Sequence, residues 1–350
     1  MKFERSCIIY RFARQPYDHA ARKRGAASTS FQPCGADVVS TRSLISRRAL
    51  LQSSVATTLA ALVPGQVSRA VAGSTDISFL AVGDWGNKNT TQRQIADAMA
   101  KIAERDNIRF VISTGDNSYR EGVASTSDPL WKDVFEDVYT ANALMCPWYP
   151  TLGNHDHKGN AMAQVAYSQV SPRWSMPGPF YWRGERLSDG SAAHFFFLDT
   201  TPIVHENRRK SWLFPGDDDD AQLQWLEQAL AASNARWKIV VGHHPVFSGG
   251  HHGSTPELVR LIQPLLERHS VTAYINGHDH DLQHIVVNGI HYLTSGAGSD
   301  PRPTGKISGT LFASSEPGFL RAILSPADMD IAFINASGRS LYTATVELAS

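Results

Sequence analysis

Apolar runs of strand length alternate with amphipathic segments of helical period from residue 77 onward. The predicted strands are Ile77–Val82, Phe110–Ser113, Trp148–Leu152, Ala193–Leu198, Trp237–Val241, Val271–Ile275, His284–Val287 and Ile290–Thr294. The predicted helices lie at Thr91–Ala103, Asp128–Tyr139, Pro256–Arg268 and after the acidic run Asp217–Asp220, and the chain from Phe319 to Leu348 is largely extended. This alternation favours an α/β layered fold with a sheet buried on both faces.

Glycine followed by a polar side chain recurs just after these predicted strands. The five places are Gly83-Asp84, Gly115-Asp116, Gly153-Asn154-His155, Gly242-His243 and Gly277-His278. In layered α/β sheets the carboxyl ends of the strands face the crevice where ligands bind. Because glycine also lets the backbone turn sharply and approach a ligand closely, we expect five loops to deliver these side chains to one site.

The residue types at these strand ends predict a metal site. An isolated Gly-Asp is ordinarily a turn, but independent turns seldom place two Asp, an Asn and several His at consecutive strand ends. Imidazole with carboxylate suits iron, zinc or manganese, whereas an all-oxygen site would suit calcium or magnesium. We therefore predict two cations bridged by a carboxylate. His278 and His280 would face opposite ways in an extended segment, whereas a bent loop can aim one at each cation.

Charge is distributed unevenly along the 350 residues, although the net charge is zero. Residues 1–72 hold 11 of the 33 Lys and Arg but only 3 of the 33 Asp and Glu. The remaining body is therefore acidic, which argues against nucleic acid as a partner. Apolar residues make up 42% of the chain and charged residues 19%, which is typical of a soluble globular protein with a sizeable core.

Residues 1–72 are predicted to be a leader that is removed. Arg47 and Arg48 precede a weakly apolar run to Val63, and Ala70-Val71-Ala72 supplies small residues for a signal peptidase. The run is too short and too rich in Ser and Thr for a membrane span. Paired arginines indicate the bacterial twin-arginine export machinery, and hence a periplasmic or secreted protein. A transit-like or disordered leader is the alternative.

Cysteine usage excludes an internal disulfide in the mature protein. Cys7 and Cys34 lie in the leader, which leaves Cys146 alone. A lone cysteine in an apolar stretch is ordinarily an inert core residue, with a reactive thiol as the alternative.

Five motifs together resemble those of a known family. They are Asp84-Trp85-Gly86, Gly115-Asp116-Asn117-Ser118-Tyr119, Gly153-Asn154-His155-Asp156, Val240-Val241-Gly242-His243 and Gly277-His278-Asp279-His280. In this order they resemble the motifs of purple acid phosphatases in the metallophosphoesterase superfamily, and the small, tartrate-resistant mammalian type is the most similar. The resemblance runs from residue 77 to the end of the chain. It implies the calcineurin-like fold, an α/β/β/α sandwich of two mixed sheets flanked by helices, with residues 73–350 as one catalytic domain.

The resemblance also implies the ligands of each metal. Ordinary metallophosphoesterases carry a metal-binding His where this chain has Gly86, and Tyr119 replaces that ligand, as in purple acid phosphatases. A phenolate is a hard anionic donor that favours ferric iron. The implied ligands of Fe(III) are Asp84, Asp116, Tyr119 and His280. Those of a divalent iron, zinc or manganese ion are Asp116, Asn154, His243 and His278, with Asp116 bridging the two metals.

The implied reaction is hydrolysis of a small phosphate monoester, in which a metal-bridging or terminal hydroxide attacks phosphorus in line. His155 would bind the phosphoryl oxygens, and His252 would protonate the leaving group. The sequence leaves open a swap of this role between His252 and His251. His244 is predicted to be a pocket-lining or packed residue, with a part in the proton transfer as the alternative.

Two other functions fit the same motifs. A phosphodiesterase or nucleotidase could use the same metals, and a phosphate-binding protein could retain them without catalysis. The binding protein would be indicated by a lost ligand or a lost proton donor, and the sequence shows neither. Residues 206–216 could lie over the mouth of the site and touch the substrate, or form an ordinary solvated loop.

Overall fold

The computed structural model describes residues 76–204 and 219–348, so the predicted leader and the loop over residues 206–216 lie outside the described residues. Within these ranges the strands form a six-stranded and a seven-stranded sheet. In chain order the strands are β1 Ile77–Val82, β2 Phe110–Ser113, β3 Trp148–Pro150, β4 Tyr181–Arg186, β5 Ala192–Phe197, β6 Trp237–Val241, β7 Ala273–Asn276, β8 Leu282–Val287, β9 Ile290–Ser295, β10 Thr310–Ser314, β11 Gly318–Leu324, β12 Asp328–Asn335 and β13 Ser340–Glu347.

Both sheets are mixed. The strand order is β13-β12-β11-β1-β2-β3 in the first sheet and β10-β8-β9-β7-β6-β5-β4 in the second. Strands β1, β2 and β3 are parallel, as are β5, β6, β7 and β9, while the remaining pairs are antiparallel. The pattern of apolar runs did not predict β4 and β10, because these edge strands are only partly buried and lack a continuous apolar run.

The helices are α1 Thr90–Arg105, α2 Ala161–Tyr167, α3 Asp219–Ala232, α4 Pro256–Leu261 and α5 Gln263–Arg268. The single helix predicted across the last two is interrupted at Ile262. Pro264 causes the interruption, because it has no N–H to donate to the carbonyl of Arg260.

The helix predicted over Asp128–Tyr139 is shorter in the structure, where its π-helical part spans Lys132–Glu136. The carboxylate of Asp128 accepts hydrogen bonds from the backbone N–H groups of Ala124 and Leu130. A side chain that bonds neighbouring backbone groups in this way shapes a turn and delays the start of a helix.

Alternate residues of the second sheet pack into two different cores. Phe195 joins the larger core, where its ring lies 5.5 Å from that of Phe79 on the first sheet. Phe196 joins the second core, together with Leu226 of α3 and Leu266 of α5. Because side chains alternate along a strand, one sheet contacts both the other sheet and a helical layer. This confirms the α/β/β/α sandwich that the resemblance implied.

The two sheets meet at the edge where their parallel strands end. Strands β1 and β2 end level with each other, with Val82 opposite Ser113. Ser295 ends β9 in the other sheet, and its carbonyl accepts a hydrogen bond of 2.7 Å from the N–H of Gly83. The Ser295 hydroxyl donates to the carbonyl of Ala81 at 2.8 Å. The polar loops of both sheets therefore emerge side by side.

Cys146 is a free, partly buried cysteine. Burial raises the pKa of its thiol to about 11, so little reactive thiolate forms at neutral pH.

Candidate metal centre

Two sets of side-chain donors converge at this edge. The first donor set consists of Asp84, Asp116, Tyr119 and His280. Tyr119 Oη lies 2.9 Å from Asp84 Oδ1, 2.8 Å from Asp116 Oδ2 and 3.1 Å from His280 Nε2. Ligands about 2.0–2.1 Å from one cation and at right angles to each other lie about 2.9 Å apart. The spacing of these donors therefore fits a single coordination sphere.

The second donor set consists of Asp116, Asn154, His243 and His278. Asn154 Oδ1 lies 3.1 Å from both His243 Nε2 and His278 Nδ1, and these two nitrogens are 3.3 Å apart. The other carboxylate oxygen of Asp116, Oδ1, is 3.5 Å from His243 Nε2. Asp116 thus directs one oxygen to each set, and the arrangement fits two cations that share this carboxylate.

The carboxylates of Asp84 and Asp116 are both buried. Among the described residues, neither Asp84 nor Asp116 forms an ion pair with Lys or Arg. Burial and then the charge of Asp116 raise the pKa of Asp84 well above its ordinary value. Burial, followed by both carboxylates, raises the pKa of Tyr119 in the same way. An unpaired buried charge costs several kcal/mol, roughly, and bound cations would offset that cost.

The imidazoles in the two sets are held neutral, which is the form that binds metals. Burial lowers the pKa of His243 and that of His278, and burial followed by Arg302 lowers the pKa of His280 to about 4. Backbone carbonyls orient two of the rings. His243 Nδ1 lies 2.9 Å from the Thr114 carbonyl, and His280 Nδ1 lies 2.7 Å from that of Asp300. Each Nε2 is thereby turned toward the donor sets.

Three of the candidate ligands have a left-handed backbone conformation. The φ angles of Asp84, Asp116 and His278 are 58°, 50° and 68°. Non-glycine residues seldom adopt this region, and such strain costs roughly 1–3 kcal/mol per residue. The surrounding structure enforces it, since the His278 N–H donates to Asp84 Oδ2 at 3.0 Å. Strain of this kind clusters at functional sites.

Position 86 has no room for a side chain. A Cβ at Gly86 would lie 2.1 Å from the backbone oxygen of Asn117. The Gly86 carbonyl also accepts a hydrogen bond of 2.9 Å from the N–H of Tyr119. This backbone contact between the first and second loops excludes a histidine at position 86 and brings Tyr119 toward the first donor set.

His155 lies beside the first donor set without belonging to it. Its ring centroid is 4.5 Å from that of Tyr119, and its Nδ1 lies 2.6 Å from the carbonyl oxygen of Arg120. The ammonium of Lys158 is 3.1 Å from His155 Nδ1 and 3.2 Å from Nε2. The imidazole is therefore held at the mouth of the site with a cation next to it.

His252 lies beside the second donor set. Its ring centroid is 4.3 Å from that of His278. His251 is exposed, and its ring lies 5.0 Å from that of His252. Of the two neighbouring histidines, His252 is thus the one whose ring packs on a candidate ligand.

His244 is buried behind the second donor set. Its ring centroid is 4.4 Å from that of His278, and its Nδ1 lies 2.8 Å from the hydroxyl oxygen of Thr200. His244 is therefore a packed residue that supports His278.

The carboxylate of Asp156 joins the second and third loops. It accepts hydrogen bonds from the N–H groups of Asn117 at 3.0 Å and Gly153 at 2.8 Å, and from the Gln164 amide at 2.7 Å. Burial and then Asp116 raise the pKa of Asp156 to about 7. Asp156 is not among the predicted site residues, although its position two residues after Asn154 was the available signal.

Asp279 supports the loop that carries His252. Its carboxylate accepts hydrogen bonds from the N–H of His252 at 2.7 Å and from the hydroxyl of Ser248. The Ser248 oxygen in turn accepts from the N–H of Gly250 at 2.9 Å and from the Gln283 amide at 2.8 Å. No sequence pattern indicates this network, because it joins loops that are distant along the chain.

Comparison with known proteins shows one consistent similarity. Residues 77–282 match the family model described as calcineurin-like phosphoesterase. The chain is 38% identical over 285 residues to purple acid phosphatase 3 of Arabidopsis thaliana, a match that covers 76% of each protein. It is 38% identical over 290 residues to tartrate-resistant acid phosphatase type 5 of Oryctolagus cuniculus, which covers 76% of this chain and 89% of that protein. Among solved structures, GAP50, titled the anchor in the inner membrane complex of Plasmodium, matches with a TM-score of 0.72 at 28% identity over 79% of this chain and 90% of its own.

Proposed function

This chain belongs to the purple acid phosphatases of the calcineurin-like phosphoesterase family, and from that membership we infer that it hydrolyses phosphate monoesters. The observation that carries the proposal is the pair of donor sets joined by Asp116. Removing metal with a chelator should abolish hydrolysis of 4-nitrophenyl phosphate, and restoring metal should recover it. Full activity in protein proved free of metal would contradict the proposal. Slower turnover of bis(4-nitrophenyl) phosphate would distinguish a monoesterase from a diesterase.

We assign Fe(III) to the first donor set and divalent iron, zinc or manganese to the second. The phenol of Tyr119 supports this assignment, because a phenolate adds an anionic oxygen beside Asp84 and Asp116. The second set replaces that phenolate with the neutral amide of Asn154, which suits a lower charge. When bound, the pair of cations supplies a nucleophile at working pH and neutralises charge on the phosphoryl oxygens.

The chain's own groups complete the site. We assign His155 to the phosphoryl oxygens, because the Arg120 carbonyl holds its Nδ1 and the Lys158 ammonium adds a positive charge beside the ring. We assign His252 to the leaving-group oxygen, to which a protonated imidazole donates its proton as the ester bond breaks. Its ring lies against His278 but is not part of either donor set, so it can donate a proton without releasing a metal.

Export through the twin-arginine route to the bacterial periplasm is part of the proposal. Its support lies in Arg47, Arg48 and the apolar run that follows them, all outside the described residues. No helix in residues 76–204 or 219–348 is long and apolar enough to cross a membrane. Because the five ligand-bearing loops come together only in the folded chain, metal loading before export requires a route that carries folded protein.

A further inference from the structure

Arg302 places a guanidinium beside His252 at the mouth of the site. Arg302 Nη1 lies 3.2 Å from His252 Nε2. A guanidinium has only donors, so the ring nitrogen is the acceptor in this contact. Among the described residues, no carboxylate lies within ion-pair distance of Arg302. Within the described part of the chain, the Arg302 guanidinium is thus directed at the candidate proton donor without a paired anion.

The backbone of Arg302 is held firmly against the first donor set. Its N–H donates to the carbonyl of His280 at 2.8 Å, and His280 Nδ1 lies 2.7 Å from the carbonyl oxygen of Asp300. Pro301 and Pro303 flank the residue. Proline fixes its own φ and restricts the residue before it to extended conformations. The backbone at Arg302 is therefore restricted, and a change in where the guanidinium lies requires rotation about side-chain bonds only.

Two cationic side chains contact different histidines of the site, and the proposed function assigns each of these histidines to a different part of the substrate. Lys158 contacts His155, which the proposed function assigns to the phosphoryl oxygens. Arg302 contacts His252, which it assigns to the leaving group. Arg302 is therefore the cation on the leaving-group side.

We propose that Arg302 is a specificity-determining residue that binds a negative charge on the leaving group. The preferred substrates are then phosphate monoesters whose leaving group carries a carboxylate or a second phosphate. A guanidinium matches both anions in bidentate geometry and binds them more strongly than a neutral amide does. Turning toward the anion also releases His252 Nε2, which is then free to carry the proton for the leaving oxygen. The inference rests on the proposed function.

The test compares matched leaving groups, 3-carboxyphenyl phosphate against 3-carbamoylphenyl phosphate, which differ in charge but little in size. A second arm compares 1,3-phenylene bisphosphate with phenyl phosphate, to separate a second phosphate from a carboxylate. We expect kcat/KM to favour the charged member by about 5- to 20-fold, mainly through KM, because a partly exposed charged contact is worth little more. Added salt should reduce this preference.

Variants of Arg302 test whether this residue causes the preference for a charged leaving group. Arg302→Gln should bring the ratio close to one, and Arg302→Lys should retain part of it. Lys158→Gln is the matched control, and it should slow hydrolysis of the charged and the uncharged ester of each pair by the same factor. Melting temperature and metal content verify that each variant is folded and loaded.

The outcomes separate this inference from the proposed function. A wild-type ratio near one, with both esters hydrolysed, overturns the role of Arg302 and leaves the phosphatase proposal standing. A preference that survives Arg302→Gln also overturns it. No hydrolysis of any of these esters by metal-loaded wild type contradicts the proposed function itself.

Discussion

The backbone N–H of His252 donates a hydrogen bond of 2.7 Å to Asp279, which lies between His278 and His280 in the chain. A Cβ at Gly250 would lie 2.5 Å from the carboxylate carbon of Asp279, so the loop that carries His252 rests directly on this side chain. The segment that supplies two candidate metal ligands therefore also positions the candidate proton donor.

Asp279→Ala should impair proton donation without removing a metal ligand. The change leaves the N–H of His252 and the buried hydroxyl of Ser248 without their acceptor, at a cost of roughly 1–3 kcal/mol. We expect alkyl phosphates to lose about 10- to 100-fold in kcat, and 4-nitrophenyl phosphate much less, with metal content unchanged. Asp279→Asn keeps one acceptor oxygen and should retain most of the activity. In a His252→Ala background, Asp279→Ala should reduce kcat for alkyl phosphates little further. Fully additive losses of kcat in the double variant would argue that Asp279 does not act by positioning His252.

His252→Ala should keep both metals and slow hydrolysis of esters with poor leaving groups by roughly 10²–10⁴-fold. Good leaving groups need less protonation, so 4-nitrophenyl phosphate should suffer less. His251→Ala is the control, and we expect a small effect because the His251 ring packs on His252, whereas the His252 ring packs on the candidate ligand His278. If His251→Ala instead shows the large, leaving-group-dependent loss of activity, His251 is the proton donor. If neither variant loses activity in this way, His155 is the next candidate for the proton donor.

Tyr119→Phe tests the assignment of ferric iron to the first donor set. Tyrosinate bound to Fe(III) should produce a visible charge-transfer band, which the variant cannot form. We expect the variant to be colourless and to hold iron less tightly, as measured by absorbance and metal analysis. Active, iron-loaded wild type without a visible band would refute the assignment.

His284 should make the fold less stable in mild acid. Its Nε2 lies 2.8 Å from His291 Nδ1, and its Nδ1 lies 3.2 Å from the hydroxyl of Tyr342. Burial and then His291 lower the pKa of His284 to about 4, against about 6.5 in the unfolded chain. Between pH of about 6.5 and 4, His284 is protonated in the unfolded chain but not in the folded chain. The free energy of unfolding therefore falls as the pH drops toward 4.

Urea unfolding at pH 7 and pH 5 measures this effect. The contribution of His284 to the decrease should be roughly 2 kcal/mol, and His284→Gln should lose that share of the pH dependence. Histidines other than His291, which contacts His284, keep their surroundings in both proteins, so their contributions cancel. An equal decrease in the two proteins would show that His284 does not carry it.

Replacing Arg47 and Arg48 with Lys tests the export route. Because twin-arginine transport depends on the paired arginines, active enzyme should accumulate in the cytoplasm, as measured by phosphatase assays of cell fractions. Unchanged export of this variant would show that the leader uses another route.

The sequence by itself was sufficient to predict the layered α/β fold and the polar loops at the strand ends. Both predictions rest on short-range patterns, since apolar period and flanking glycines are local properties of the chain. Predicted and observed limits agree at Ile77–Val82 and Trp237–Val241, where the strands are buried on both faces. The edge strand Tyr181–Arg186 escaped prediction because half-exposed strands carry a weaker pattern.

Only the tertiary structure decided how these loops meet. Asp116 directs its two oxygens to different donor sets because strands of both sheets end at one edge, and no spacing along the chain encodes that distance. The same holds for the hydrogen bond between Asp279 and the N–H of His252 and for the contact between Arg302 and the His252 ring, because no spacing along the chain encodes either contact. Such contacts depend on the packing of one sheet against the other, which brings together groups that are far apart in sequence.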